Sequence, residues 1–146
     1  MGDYVKVNTK GFKELGITLR KVATGVVGAS AVGQYNAAVE IVEAAQANAP
    51  VKTGALRAGG YVEPARATSK ERVMVDYGFT GFAADRRYLL MQHEASPTHA
   101  KFFENAVNAA TARTNQLIFE SVNAFLKGGR VPALNKGKVG DKADAQ

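Results

Sequence analysis

The clearest hydrophobic period in the chain begins at Tyr35. Apolar residues recur there every three or four positions and polar residues occupy the other face, so the spacing predicts an amphipathic helix. The predicted apolar stripe comprises Tyr35, Ala38, Val39, Val42 and Ala45, and the polar face comprises Asn36, Glu40, Glu43 and Gln46. Pro50 disfavours helical geometry at Ala49 and has no N–H to donate, so the helix is predicted to end near Asn48.

A second helical period lies upstream, between Gly11 and Val22, where Phe12, Leu15, Leu19 and Val22 share one face. The stretch from Gly25 to Gly33 separates the two periods and is rich in glycine. Because each interior glycine costs about 1 kcal/mol relative to alanine, we interpret the stretch as a linker or a loosely started helix. Weak alternation at 5–7 predicts a short N-terminal strand or arm.

Past Pro50 the period changes from helical to alternating. Lys52-Thr53-Gly54 supplies turn chemistry, and two alternating runs, 56–63 and 72–77, predict antiparallel strands joined by a polar loop. Tyr88–His93 is a candidate for a third strand. A third strand is expected, since three strands are about the minimum for a stable sheet.

The last element is a long predicted helix from Ala100 to Leu126, stopped by Gly128-Gly129. We therefore expect an α+β fold with an antiparallel sheet of three to four strands packed against a central helix and a long C-terminal helix. Residues 1–127 form one α+β domain with an N-terminal arm, and residues 128–146 form a basic, flexible tail.

The amino-acid composition excludes several kinds of functional site and partner. The chain has 146 residues and no cysteine, which excludes disulfides, thiolate metal sites and thiol nucleophiles. No apolar run is judged to approach the roughly 18 residues of a membrane span, and charges among residues 1–10 argue against a secretory signal. We expect no membrane partner and a protein made in a cytosol-like environment.

The net charge of +6 is concentrated at the two ends of the chain. An excess of basic side chains of this kind suggests nucleic acid as a partner. Aromatic residues are not interleaved with the basic ones, so we do not expect sequence-specific recognition. A small basic nucleic-acid-binding protein remains the alternative function.

The sequence offers no catalytic constellation. His93-Glu94 lacks a second histidine four residues on, since His99 is six away. Gly28 and Gly33 have the spacing of a phosphate-binding loop, but Gln34-Tyr35 replaces the lysine and hydroxyl residue that would hold phosphate and magnesium. We expect no enzyme, no cofactor and no metal site.

Two runs resemble a known family. Ala47 to Arg57 reads ANAPVKTGALR, and it is similar to the Ala-Pro-x-Asp-Thr-Gly-x-Leu-Arg signature of neck, tail-completion and minor tail components of tailed bacteriophages. Tyr88 to Glu94, followed by Ala100 to Ala106, resembles the tyrosine strand, His-Glu pair and helix entrance of the same head-tail joining proteins. Lys52 departs from the family's aspartate, and the segment between Glu94 and Ala100 is shorter than in many members.

The resemblance implies a structural virion protein made in the host bacterial cytoplasm. Its partners would be copies of itself in a ring, together with neighbouring portal or adaptor, tail-terminator or tail-tube proteins. Turn residues carried by the signature are Pro50, Thr53, Gly54 and Leu56. Aromatic and arginine side chains suit interface anchors, although they also serve to cover sheet edges. The interface candidates are Phe79, Phe82, Asp85, Arg86, Arg87, Arg57, Lys127 and Arg130.

Overall fold

A computed structural model describes residues 9–49, 55–69, 72–79, 94–96 and 100–133. Within these ranges the chain forms helices and a small antiparallel sheet, so the α+β class holds. The elements are α1 (Thr9–Asn48), α2 (Ala55–Ala58), β1 (Gly60–Val62), β2 (Arg66–Ser69), β3 (Arg72–Met74), β4 (Tyr77–Phe79), α3 (Phe102–Ala109) and α4 (Thr111–Gly128). The expected N-terminal strand at 5–7 and the third strand candidate Tyr88–His93 lie outside the described residues.

Helix α1 runs unbroken for 40 residues. Its end at Asn48 agrees with the prediction from Pro50. Of the two interpretations of Gly25 to Gly33, the linker was wrong and a helix is present, but the stretch lies in the interior of α1 and no helix starts there. The reason is packing: a Cβ at Gly33 would lie 2.6 Å from the Cα of Ile118 in α4. Glycine therefore lets the two backbones approach closely, and the packing offsets its poor helix propensity.

Helix α4 runs antiparallel to α1. The ring of Phe125 lies against Gly25, and Arg113 of α4 bonds to Glu40 of α1. Between these contacts, the buried Ser121 hydroxyl donates a 2.7 Å hydrogen bond to the carbonyl of Ala29. This bond occupies a hydroxyl that would otherwise be buried without a partner.

The predicted C-terminal helix is divided in two at Ala110, whose φ of −89° and ψ of −2° depart from helical values. The amide of Ala110 is shared between the carbonyls of Ala106 and Val107, and the Thr111 hydroxyl donates to the Asn108 carbonyl at 3.3 Å. Such side-chain competition bends a helix. Helix α4 ends as predicted.

Gly129 follows α4 at a φ of 66° and donates its N–H to the Phe125 carbonyl at 2.7 Å. This is the left-handed C-cap that glycine supplies at the end of a helix.

The strands form one interrupted hairpin. β1 pairs antiparallel with β4, and β2 pairs antiparallel with β3, with the register shifted by one residue between the two ladders. Between the ladders the Glu63 amide donates to the Asp76 carbonyl at 2.7 Å, and Arg66 forms an ion pair with the Asp76 carboxylate. The first run was predicted as a strand from Leu56, but Ala55–Ala58 is the helical turn α2 and the strand starts at Gly60.

The core lies between the second half of α1, the hairpin and α3. The predicted stripe on α1 is confirmed, since all five of its apolar residues are buried. One cluster joins the stripe to Val62 and to the partly buried Val75 and Tyr77. A second joins Ile41, Ala45, Ala49, Phe102 and Ala106. The hairpin and α3 therefore cover α1 only toward its C-terminal end.

Among the described residues one helix, Gly11–Asn48, is long and apolar enough to cross a membrane by length and composition. This corrects the expectation that no run approaches the length of a membrane span. The core helix of a folded protein can satisfy the same criterion, but only 11% of this apolar window is buried inside the protein.

Candidate interaction surfaces

Arg57 joins α2 to the C-terminal end of α1. Its guanidinium donates to the carbonyls of Ala47 and Ala49 at 3.2 and 3.3 Å, and the Gln46 side chain donates to the Arg57 carbonyl at 2.8 Å. An arginine that bonds the last carbonyls of a helix satisfies unpaired acceptors and complements the helix dipole. The sequence predicted Arg57 to lie in the strand 56–63, whereas the structure places it in α2, where it reaches back to α1.

Phe79 is partly buried, and its ring packs within the chain. It makes edge-to-face contacts with Phe102 and Phe103, at centroid distances of 5.4 and 5.7 Å. Such pairs add stability beyond their buried area. Phe79 therefore joins the hairpin to α3, and a further role at an interface stays a prediction.

Several residues singled out from the sequence lie outside the described part of the chain. They include Phe82, Asp85, Arg86 and Arg87 of the expected interface loop, and Pro50, Thr53 and Gly54 of the turn. Leu56 lies in the helical turn α2.

Lys127 and Arg130 are exposed at the C-terminal end of α4. Because α4 is antiparallel to α1, that end lies near the level of the exposed Arg20 and Lys21 of α1. The exposed Lys13 lies about two helical turns further toward the start of α1. The fold thus gathers basic residues that are far apart in sequence at one end of the molecule. We call the five residues the basic end.

A half-open groove of about 280 Å³ lies between α1, the hairpin and the α3–α4 junction. Its wall is mostly apolar and its rim carries amide and hydroxyl groups. The lining residues are Gln34, Ala37, Ala38, Ile41, Val75, Tyr77, Val107, Thr111, Thr114 and Asn115. This lining holds no carboxylate, imidazole or amine, so the groove suits an apolar side chain with a polar edge rather than acid–base chemistry. Sequence reasoning missed it, because its walls come from three separate segments.

The main ion pair between α1 and α4 joins Arg113 to Glu40. The two side chains form a fork, with N···O distances of 3.1 and 3.2 Å. The hydrogen bond and charge of Glu40 raise the pKa of Arg113. Both side chains are substantially exposed, so the pair orients the two helices more than it stabilises them.

The first half of α1 presents an uncovered apolar face. Phe12, Leu15, Leu19 and Val22 are 68%, 54%, 59% and 39% exposed. The helical spacing of these residues follows from the sequence, but their exposure does not. The exposure follows from length: α1 is longer than the C-terminal helices, so α4 does not reach its first turns.

In the described ranges, no group of three or more potential metal-binding side chains was found, and no buried side-chain polar atom lacks a hydrogen-bond partner. His93 and His99 lie outside these ranges.

Comparison of the chain with protein families, curated proteins and solved structures gave no significant match.

Proposed function

We propose that the protein is a structural subunit of a tailed-bacteriophage virion that forms a ring at the head-tail junction, as a neck, tail-completion or minor tail component. The observation that carries the proposal is the resemblance of the run from Ala47 to Arg57 to the signature of that family. The proposal also takes Tyr88–His93 as a third strand of the sheet, with copies of the chain and neighbouring portal, terminator or tube proteins as partners.

The local structure of the signature supports this reading by giving its arginine a function. Arg57 bonds two carbonyls at the end of α1, so the arginine of the signature ties α2 to the end of the long helix. Such a tie suits a subunit whose surfaces must meet neighbours at set angles. The exposed apolar face of α1 and the apolar groove also favour an assembly role over a reaction.

Particle assembly provides the test. Removing the protein should leave filled heads and free tails that fail to join, and supplying it in trans should restore joined particles in which imaging locates its density at the junction. Infectious particles without any copy of the chain would contradict the proposal.

A variant pair then tests the expected interface loop. Arg86→Ala with Arg87→Ala should reduce incorporation into particles while leaving the protein folded. The matched control is Lys70→Ala with Arg72→Ala, which removes the same charge outside the expected loop and the basic end. Incorporation of the Arg86, Arg87 variant at the level of the unmodified protein would remove both residues from the interface.

Nucleic-acid binding is the second candidate, because the fold gathers the basic end. Phosphate contacts release counterions, so binding through these residues should weaken steeply as salt rises. Gel-shift titrations with the Lys127→Ala, Arg130→Ala double variant check this. Tight, salt-sensitive binding that the double variant loses would favour this candidate over an assembly role.

A further inference from the structure

The N-terminal part of α1 projects past the end of the rest of the protein. Phe125 lies against Gly25, and α4 ends three residues later at Gly128, level with about Val22. Residues 9–21 therefore extend beyond α4 by about 20 Å, at 1.5 Å per residue. We call residues 9–22 the arm, and its four apolar residues Phe12, Leu15, Leu19 and Val22 the arm stripe.

The arm stripe continues the seam on which α4 packs. From the arm into the body, apolar or small residues recur at alternating intervals of three and four, which is the spacing of a helix-packing seam. The seam residues are Phe12, Leu15, Leu19, Val22, Val26, Ala29 and Gly33. α4 covers the last part of this seam, where Ala29 is fully buried, and leaves the first part open. The surface is thus shaped for one more helix.

Charge placement allows that helix to belong to a second copy of this chain. The charged residues Lys13, Glu14, Arg20 and Lys21 lie away from the stripe. The positions that flank it are Gly11, Gly16, Thr18 and Ala23, which are small and uncharged. Two identical arms can therefore approach closely without bringing like charges into the contact. A helix built to lie on an anionic membrane would instead carry its lysines beside the apolar face.

The described part of the chain leaves the arm stripe open. Its four residues are 39–68% exposed. After α4 the chain turns back along α1, away from the arm, because Val131 lies beside Gly28.

We propose that the arm stripe binds the arm stripe of a second copy, with the two α1 helices antiparallel. In a parallel pair both α4 helices would compete for the space between the two seams. In an antiparallel pair, Leu15 of one copy meets Leu19 of the other, and each arm takes the place that a longer α4 would have filled. Pairing removes on the order of 1,000 Å² from water, near the lower bound for a specific interface, so we expect a weak dimer.

Sedimentation velocity of the full chain, over about 1 to 100 µM, tests the pairing. Leu15→Gln should weaken the dimer at least about tenfold, whereas Ile17→Gln should change it less than about twofold. The two residues are equally exposed, at 54% and 53%, but Ile17 lies off the stripe. Circular dichroism checks that both variants stay helical. A monomer at every concentration, or equal effects of the two substitutions, would overturn the proposal.

Introduced cysteines test the orientation, since the chain has none of its own. A disulfide needs Cα atoms within about 7 Å. A mixture of Leu15→Cys and Leu19→Cys chains should form a disulfide-linked dimer under mild oxidation, and either variant alone should form much less. Equal or stronger cross-linking of each variant alone would indicate parallel helices and overturn the antiparallel arrangement.

Salt and lipid separate this pairing from other uses of the arm. The dimer should tighten as salt rises, because screening reduces repulsion between two basic ends, whereas nucleic-acid binding would weaken. Vesicles of phosphatidylglycerol and phosphatidylcholine should not capture the protein. A monomer that binds them through Leu15 would overturn the proposal.

The pairing does not rest on the proposed virion function: a dimeric protein absent from particles would contradict that function alone.

Discussion

The two halves of α1 have similar apolar patterns and opposite surroundings. From Tyr35 to Ala45 the apolar face is buried under the hairpin and α3, and Val39 and Val42 have no exposed surface. From Phe12 to Val22 the apolar face is 39–68% exposed. The difference arises outside α1, because the elements that pack on it cover only its C-terminal part. Helical periodicity therefore identifies an apolar face, but not what covers it.

The largest expected difference between the halves is in stability. Val42→Ala should lower the free energy of unfolding by about 2–3 kcal/mol, because it removes buried methyl groups and leaves a cavity. Val22→Ala, the matched substitution in the arm, should change it by less than about 0.5 kcal/mol. Urea denaturation at a low protein concentration measures both. Equal losses would mean that the arm is also packed within the monomer.

Glycine substitutions should have opposite signs in the two halves. Gly33→Ala should destabilise by about 1–2 kcal/mol, since the new Cβ meets the backbone of α4, which cannot move aside. Gly16→Ala meets nothing within 4 Å, and it should stabilise by up to about 1 kcal/mol through helix propensity. Thermal melts of the two variants check the signs. A stabilising Gly33→Ala would refute the close approach of α1 and α4.

Removing the arginine that holds the end of α1 should have a moderate effect. Arg57→Ala leaves two helix-end carbonyls without this donor and should lower stability by about 1 kcal/mol. Arg57→Lys, which keeps the charge but not the fork, should recover only part of the loss. Denaturant titration compares the three proteins. Full recovery by lysine would show that charge alone matters there.

The smallest effect is expected from the ion pair between α1 and α4. Arg113→Ala should shift the melting temperature by no more than about 2 °C, because both partners are largely exposed. The raised pKa of Arg113 means that the folded state favours the cation. Its contribution is therefore present at neutral pH and is lost only as pH rises through that raised pKa. A large melting shift near pH 7 would make the pair a major support of the fold.

Much of the fold could be predicted because the deciding interactions are local. The stripe from Tyr35 to Ala45, the end of α1 before Pro50 and the stop at Gly129 each follow from spacing or backbone chemistry within a few residues. The Gly25–Gly33 stretch was misread, because its helix depends on contacts with α4 almost a hundred residues away. The strand start at Leu56 was misread because a single helical turn between Pro50 and Gly60 leaves no periodic signal.

The candidate surfaces were harder to predict than the fold. Lys127 and Arg130 are apparent from composition, but the basic end exists only because α4 runs antiparallel to α1. The groove combines Ile41, Tyr77 and Val107 from three segments, and no local pattern joins them. The role of Arg57 required knowing that its chain turns back toward Ala47.

Hydrogen exchange along α1 tests the central claim most directly: one half of the helix is core and the other is a surface for a second copy. At low protein concentration, amides of residues 12–22 should exchange rapidly and those of residues 35–45 slowly. Raising the concentration across the dimer transition should slow exchange in residues 12–22 of the unmodified protein and not in the Leu15→Gln variant. Exchange in the arm that does not change with concentration, or changes equally in both proteins, would contradict the claim.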